Sequence, residues 1–354
     1  MNRILVTGGA GFVGSHLAMG LGREFPEARV VALDNLKRRG SELNIPRLRA
    51  VGVEFIHGDV RNPEDIEAVG EMDLVVECSA EPSVLAGLDG PPSYLINTNL
   101  TGTVNCLEAA RRHSAIFIFL STSRVYPIET IDDLALREGN TRYELEEVQP
   151  LPGVSARGIS EGFPIAGPRS LYGATKLCSE LLLTEYIDTY GLRGIINRCG
   201  VLTGPWQMGK VDQGVVVLWM ARHVFGGDLS YIGYGGTGKQ VRDMLHVDDL
   251  LRLVTYQVRH IDDLSGQTFN VGGGRDMSAS LLELTAMCQE ITGKTIDIGR
   301  VPETRRSDVR IYITDNTKVH RATGWAPEKS IGTILGDIHR WIDSNADTLR
   351  PIIG

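Results

Sequence analysis

In the stretch Ser170-Leu171-Tyr172-Gly173-Ala174-Thr175-Lys176 a phenol and an ammonium stand four residues apart. On a helix that spacing puts both side chains on one face. A positive charge beside a tyrosine favours the phenolate, so a group that ordinarily holds its proton to about pH 10 can act as a base nearer neutrality. Tyr172 is therefore a candidate proton shuttle. The same spacing also fits an interfacial tyrosine beside a solvated lysine, so the pair takes its meaning from the rest of the chain.

A second group of residues has the spacing of a phosphate cradle. Gly8, Gly11 and Gly14 lie between a strand-like run, Ile4 to Thr7, and a helical face marked by Val13, Leu17 and Leu21 that Pro26 stops. Strand, glycine turn and helix in that order let a pyrophosphate approach the backbone and sit at the positive end of the helix. Asp34 closes the next strand, Val30 to Leu33, where an acid meets the adenosine ribose hydroxyls and repels a 2′-phosphate. The expected cofactor is NAD, with the basic Lys37-Arg38-Arg39 read as a solvated loop. Asp59, after a third strand from Val53 to Ile56, is placed to meet the adenine edge. His57 is assigned no role.

These residues need a scaffold, and the chain supplies alternating strands and helices. Leu74 to Cys78 reads as a strand ending in the small residues Ser79 and Ala80. Ser93 caps a long helix from about Tyr94 to Arg112 that contains Asn99. A strand from Ala115 to Leu120 runs into Ser121-Thr122-Ser123-Arg124-Val125-Tyr126. The pattern predicts an α/β fold, a Rossmann-type doubly wound parallel sheet whose ligands bind beyond the carboxyl ends of the strands. Asp34, Asp59, Ala80 and Thr122 all fall at such ends. From 128 to 169 periodicity is lost, which suggests a lid or an insertion near the site. The Tyr172 helix then runs to about Tyr190, and Gly194 to Arg198 is another strand. Beyond 200 the glycine-rich composition predicts a smaller α/β substrate-binding lobe. The expected division is 1–199, with returning segments near 243–271, and 200–350.

Composition narrows the function classes. The chain has 354 residues, 42% apolar and 23% charged, with a net charge of -8 and no long basic run, so nucleic acid is not the expected partner. An anionic ligand must be met by local positive charge. Five widely spaced cysteines without metal-ligand spacing read as reduced thiols in a cytoplasmic protein, with no metal site. No signal peptide and no membrane-spanning segment is expected.

Taken together, the glycine turn, Asp34, Asp59-Val60, the Asn99 helix, Thr122 at a strand end and Tyr172 four before Lys176 resemble the extended short-chain dehydrogenase/reductase superfamily, in its nucleotide-sugar epimerase and dehydratase branch. Late motifs agree: Gly238-Lys239-Gln240-Val241-Arg242-Asp243, Phe269-Asn270-Val271-Gly272, Arg305-Arg306-Ser307-Asp308 and Gly324-Trp325-Ala326-Pro327. Within that branch the sequence is most similar to CDP-paratose (CDP-tyvelose) 2-epimerases, on Asp34-Asn35-Leu36, His57 to Asn62, Glu138 with Thr141-Arg142-Tyr143, and Asp212-Gln213-Gly214.

The resemblance implies a catalytic trio of Thr122, Tyr172 and Lys176, with Ser123 as the fallback hydroxyl. It implies NAD contacts from Gly8, Gly11, Phe12, Val13, Asp34, Asn35, Asp59, Val60, Ala80 and Asn99 besides Tyr172 and Lys176. The implied substrate is a nucleotide sugar, with Arg242, Arg305 and Asp308 at its phosphates, Arg310 as a further cation, and Gln207, Asp212 and Gln213 in a substrate loop. A homodimer through the 94–112 and 172–190 helices is implied as well. Two departures bear on the reaction: Ser123 and Arg124 replace the acidic pair that follows the threonine in 4,6-dehydratases, and Val201 replaces an asparagine common in 4-epimerases. The alternatives are a UDP-sugar 4-epimerase and a non-catalytic NAD-binding regulator.

Overall fold

The computed structural model describes residues 1–354 apart from Asp89 and 210–212. The chain forms two compact units: the first comprises Met1–Val125, Ser170–Cys199 and Leu250–Phe269, the second Tyr126–Arg169, Gly200–Asp249 and Asn270–Gly354.

The first unit is built on strands β1 (Arg3–Thr7), β2 (Arg29–Asp34), β3 (Glu54–His57), β4 (Leu74–Glu77), β5 (Ile116–Thr122) and β6 (Gly194–Cys199). A seventh, β7 (Thr268–Val271), completes a sheet of order β7-β6-β5-β4-β1-β2-β3. The pairs β1–β2, β2–β3, β1–β4, β4–β5 and β5–β6 are parallel. Central strands are apolar along their length because helices cover both faces. One face packs Leu5, Val31, Val75, Phe117 and Phe119 against Cys106, Leu107 and Leu183, residues of helices α2 (Gly102–His113) and α3 (Leu171–Tyr190). Elsewhere helix α1 (Phe12–Glu24) meets Leu251 so closely that a Cβ at Gly20 would lie 2.2 Å from a leucine methyl. Strand order reverses between β1 and β4, which is the switch point where such sheets bind ligands.

Three expectations are corrected. The segment 126–169 belongs to the second unit, because its backbone is tied there: Ile159 N donates to Ile313 O at 2.8 Å and Asp315 N to Ile159 O at 2.9 Å. It is a short helix (Ile128–Asp132) and two hairpins, strands too short to show periodicity in sequence. The return to the first unit begins at Leu250 rather than near 243, since the strand Val241–His246 pairs with Val201–Thr203, Ser278–Ser280 and Ile311–Tyr312. The helix expected over 94–112 is interrupted at Asn97–Thr101 by a wider π-turn, a device that re-aims side chains at functional sites.

The second unit holds its strands together through buried Asp243. Its Oδ2 accepts from Gly274 N at 2.9 Å and Thr314 N at 3.1 Å. Residues 138–143, part of the narrower resemblance, serve here as ties: Lys239 Nζ meets Glu138 at 2.8 Å, Thr141 donates to Glu283 at 2.8 Å, and Arg142 lies 3.4 Å from Glu283.

Candidate active site

Ser170 caps α3 by accepting a hydrogen bond from Gly173 N at 3.2 Å. The cap sets where the first turn begins, and so where Tyr172 and Lys176 project. The Thr122 side chain lies near enough to the Tyr172 hydroxyl to lower its pKa. Thr122 is the last residue of β5, and its Oγ1 accepts from Arg124 N at 3.2 Å. The strand end and the helix start thus bring the phenol and the threonine together.

The expected electrostatics need correcting. Burial pushes the Tyr172 phenol up to about 12, and the Thr122 side chain and the Arg124 charge pull in the opposite direction. Lys176 lies deeper, 2% exposed, with Nζ 4.2 Å from the centroid of the Phe119 ring. Burial lowers its pKa, while the nearby Glu77 carboxylate raises it. The lysine charge is therefore shared with a carboxylate that sequence reading did not single out.

Asn99 is fully buried, and its amide is committed within the protein. Oδ1 accepts from Glu81 N at 2.7 Å, and Nδ2 donates to Glu81 O at 3.1 Å and to Thr175 Oγ1 at 3.2 Å. It binds the loop after β4 to the helix that carries Tyr172 and Lys176. Thr103 and Ser179 extend the same packing, Ser179 Oγ donating to Asn99 O at 3.1 Å. Spacing alone gave no signal for either.

At the cofactor end, Gly8 adopts a left-handed conformation with φ 61°. A Cβ on Gly14 would lie 2.1 Å from Gly8 O. No side chain caps α1 at Gly11, which leaves first-turn amides for an anion. Asp34 stands at the end of β2, accepting from Ala10 N at 3.1 Å and Leu36 N at 2.8 Å. Burial pushes its carboxyl up and those donors oppose the shift. Asn35 Nδ2 donates to Asp59 Oδ2 at 2.9 Å, and Arg61 grips Asp59 through two nitrogens at 2.9 and 2.7 Å. Burial resists ionisation of Asp59, but these hydrogen bonds outweigh it and bring the carboxyl down to about 2. Phe12, Val13 and Ala80 are partly exposed in this region, whereas Val60 is buried beneath Gly102 and its carbonyl accepts from Asn105 at 2.8 Å. Open helix amides, a glycine turn with no room for Cβ atoms and an acid at the β2 end fit a dinucleotide.

These features match a known family. A model of the NAD dependent epimerase/dehydratase family matches residues 4–272.

The chain belongs to the NAD dependent epimerase/dehydratase family.

Similarity extends through nearly the whole chain. The CDP-paratose 2-epimerase of Salmonella typhi is 28% identical over 97% of this chain and 99% of its own. The solved UDP-glucose 4-epimerase of Thermotoga maritima is 27% identical, covering 97% of this chain and 99% of its own, with a TM-score of 0.76. The dTDP-glucose 4,6-dehydratase of Streptomyces venezuelae, solved with NAD bound, is 28% identical over 99% of each chain, with a TM-score of 0.76. This member of the epimerase/dehydratase family uses NAD, and the residues expected at the reaction centre and at the dinucleotide all lie in its first unit.

The residues expected at the substrate lie in the second unit. Arg242 Nη2 donates to Asp308 Oδ1 at 2.7 Å and to Val309 O at 2.7 Å. Asp308 therefore orients the Arg242 guanidinium. Arg305 makes no ion pair among the described residues. Arg310 donates to Asp132 O at 2.8 Å. Gln207 is committed to the preceding strand, Val201–Thr203, donating to Leu202 O and accepting from Thr203, both at 3.0 Å. Gln213 is partly exposed ahead of the helix Val215–Phe225. Asp212 lies outside the described residues. No helix of the described residues is long and apolar enough to cross a membrane, and all five cysteines are free.

Proposed function

We propose that this family member is an epimerase of a nucleotide-activated hexose, acting at C2 of a CDP-sugar of the CDP-paratose or CDP-tyvelose type by transient oxidation and re-reduction. The observation that carries the choice of epimerase over dehydratase is the cation beside the trio. Arg124 follows Thr122 by two residues, and its charge pulls the Tyr172 pKa down. The family's 4,6-dehydratases use an acidic pair at this point, and elimination of water needs such an acid and base.

Bound NAD supplies the hydride acceptor and donor. Tyr172 takes the proton of the sugar hydroxyl, Thr122 hydrogen bonds that hydroxyl, and Lys176 holds the nicotinamide ribose. A keto-sugar forms, turns over within the site, and regains a proton from Tyr172 on return. No net redox change results. Arg242, held by Asp308, and Arg305 neutralise the diphosphate that an acidic protein must meet locally. The first unit is thus the cofactor domain and the second the nucleotide-sugar domain of a cytoplasmic homodimer.

Support for the base and the carbon comes from the 28% identical CDP-paratose 2-epimerase and the shared motifs. A UDP-sugar 4-epimerase is the second reading, favoured by the 27% identical Thermotoga maritima enzyme and disfavoured by Val201. Incubation with CDP-paratose, CDP-tyvelose and CDP-glucose, and separately with UDP-glucose and UDP-glucuronate, followed by NMR, decides. New sugar signals only from UDP substrates would reject the C2 reading, and loss of water from the sugar would reject epimerisation.

A further inference from the structure

Glu77 closes β4 after three apolar residues and is fully buried. Thr103 Oγ1 lies 3.0 and 3.1 Å from its two carboxyl oxygens, Ser79 Oγ donates to Oε1 at 3.2 Å, and Thr7 Oγ1 donates to Ser79 at 3.3 Å. Hydroxyls thus hold the carboxyl in place but bring no charge to it. Glu77 is in register with Phe119 on the neighbouring parallel strand, so both side chains leave the same face of the sheet. Lys176 Nζ sits over that Phe119 ring. A carboxyl and an ammonium are therefore buried on the same α2–α3 face, where each feels the charge of the other.

We infer that Glu77 is a positioning residue: it supplies the buried counter-charge that keeps Lys176 an ammonium over Phe119. The inference deepens the proposed function, since it rests on Lys176 serving the nicotinamide ribose and the proton transfer at Tyr172.

The other groups facing Lys176 do not fill this role. Glu180, one turn along α3, is committed to Arg198 at 2.7 Å and to Ser121. Cys78, just after β4, and Cys199 from β6 are thiols whose pKa values burial pushes upward, so they contribute no charge near neutrality. Burial alone pushes Glu77 up and Lys176 down, toward a neutral pair, and the charge of each opposes that drift in the other. At Tyr172 the further charges are Arg124 and Glu81. Removal of Glu77 leaves a buried amine with no carboxylate of its own, and such an amine gives up its proton more easily.

The test reads the lysine itself and needs neither turnover nor a known sugar. The chain has seven lysines, at 37, 176, 210, 239, 294, 318 and 329, few enough to follow individually by NMR of 13Cε-labelled lysine, with Lys176→Arg identifying the signal. The Lys176 titration midpoint is expected to fall by at least about one pH unit in Glu77→Gln, the lower end for loss of a nearby opposite charge. Glu77→Asp, which keeps the charge, is expected to stay near the wild-type midpoint. An unmoved midpoint in a Glu77→Gln protein with wild-type near-UV circular dichroism overturns the inference. If Glu77→Gln does not fold, Glu77→Met, which also removes the charge while keeping the side-chain length, must shift the midpoint in the same direction, and no shift there overturns it equally. Absence of nucleotide-sugar turnover would reject the proposed reaction and leave this titration fully readable.

Discussion

The helix that carries Tyr172 and Lys176 is fastened to the sheet by one buried ion pair, and breaking it should be costly in a predictable way. Arg198 on β6 reaches Glu180 on α3 with Nε 3.1 and 3.0 Å from the two oxygens and Nη2 at 2.7 Å, at 9% and 3% side-chain exposure. Ser121 on β5 donates to the same carboxylate. Arg198→Met would leave a buried, hydroxyl-bonded carboxylate without its cation, a change that costs about 3–5 kcal/mol. At about 2–4 °C per kcal/mol for a chain of this order of size, the melting temperature should fall by about 6–20 °C. The double variant Arg198→Met/Glu180→Leu removes both charges, and replacing a buried pair by apolar groups is often neutral, so most of the loss should return. Calorimetry and urea unfolding followed by tryptophan fluorescence measure both variants. NAD retained after gel filtration reports whether the helix keeps its register. A single variant within about 1 kcal/mol of wild type, or a double variant as damaged as the single, would refute the reasoning.

Tyr172→Phe should lower kcat by about 100- to 10,000-fold, the usual contribution of a positioned acid–base group, while the thermal shifts given by CDP and UDP stay at their wild-type values; a smaller loss would remove Tyr172 from the proton transfer. Asp59 offers a test by pH: its folded pKa of about 2 lies below the ordinary 3.8, so its stabilisation is present above about 3.8 and is lost as pH falls through about 2. Asp59→Asn should then be less stable at pH 6 by about 1–2 kcal/mol, a range reduced for the partly exposed Arg61 partner, and urea unfolding should show the gap closing toward pH 2; a gap constant with pH contradicts the assignment. Leu181 is 57% exposed on α3, so Leu181→Glu should convert the proposed dimer to monomer by light scattering, and wild-type monomer alone would remove the dimer.

Most of the first unit was legible in the chain because its signals are local. Glycines at 8, 11 and 14 between an apolar run and a helical face, and Asp34 closing the next strand, each depend on a few neighbouring residues, and the parallel sheet follows from how such units must pack. The Tyr172–Lys176 pair was equally visible from its spacing. The segment 126–169 was not, since its short hairpins owe their place to hydrogen bonds with residues 239–315, far along the chain, rather than to any pattern of their own.

The sequence by itself determined the fold class and the dinucleotide turn and singled out the Tyr172–Lys176 pair, all of which rest on local periodicity and residue type. Only the tertiary structure decided which charges those residues feel. It set the Glu77 charge within reach of Lys176, put Thr122 and Arg124 near Tyr172, and tied the Asn99 amide to Glu81 and Thr175. The physical reason is that electrostatic interaction and burial depend on distance through the folded molecule, and residues 77, 99, 122 and 176 become neighbours only when strands far apart in sequence lie side by side.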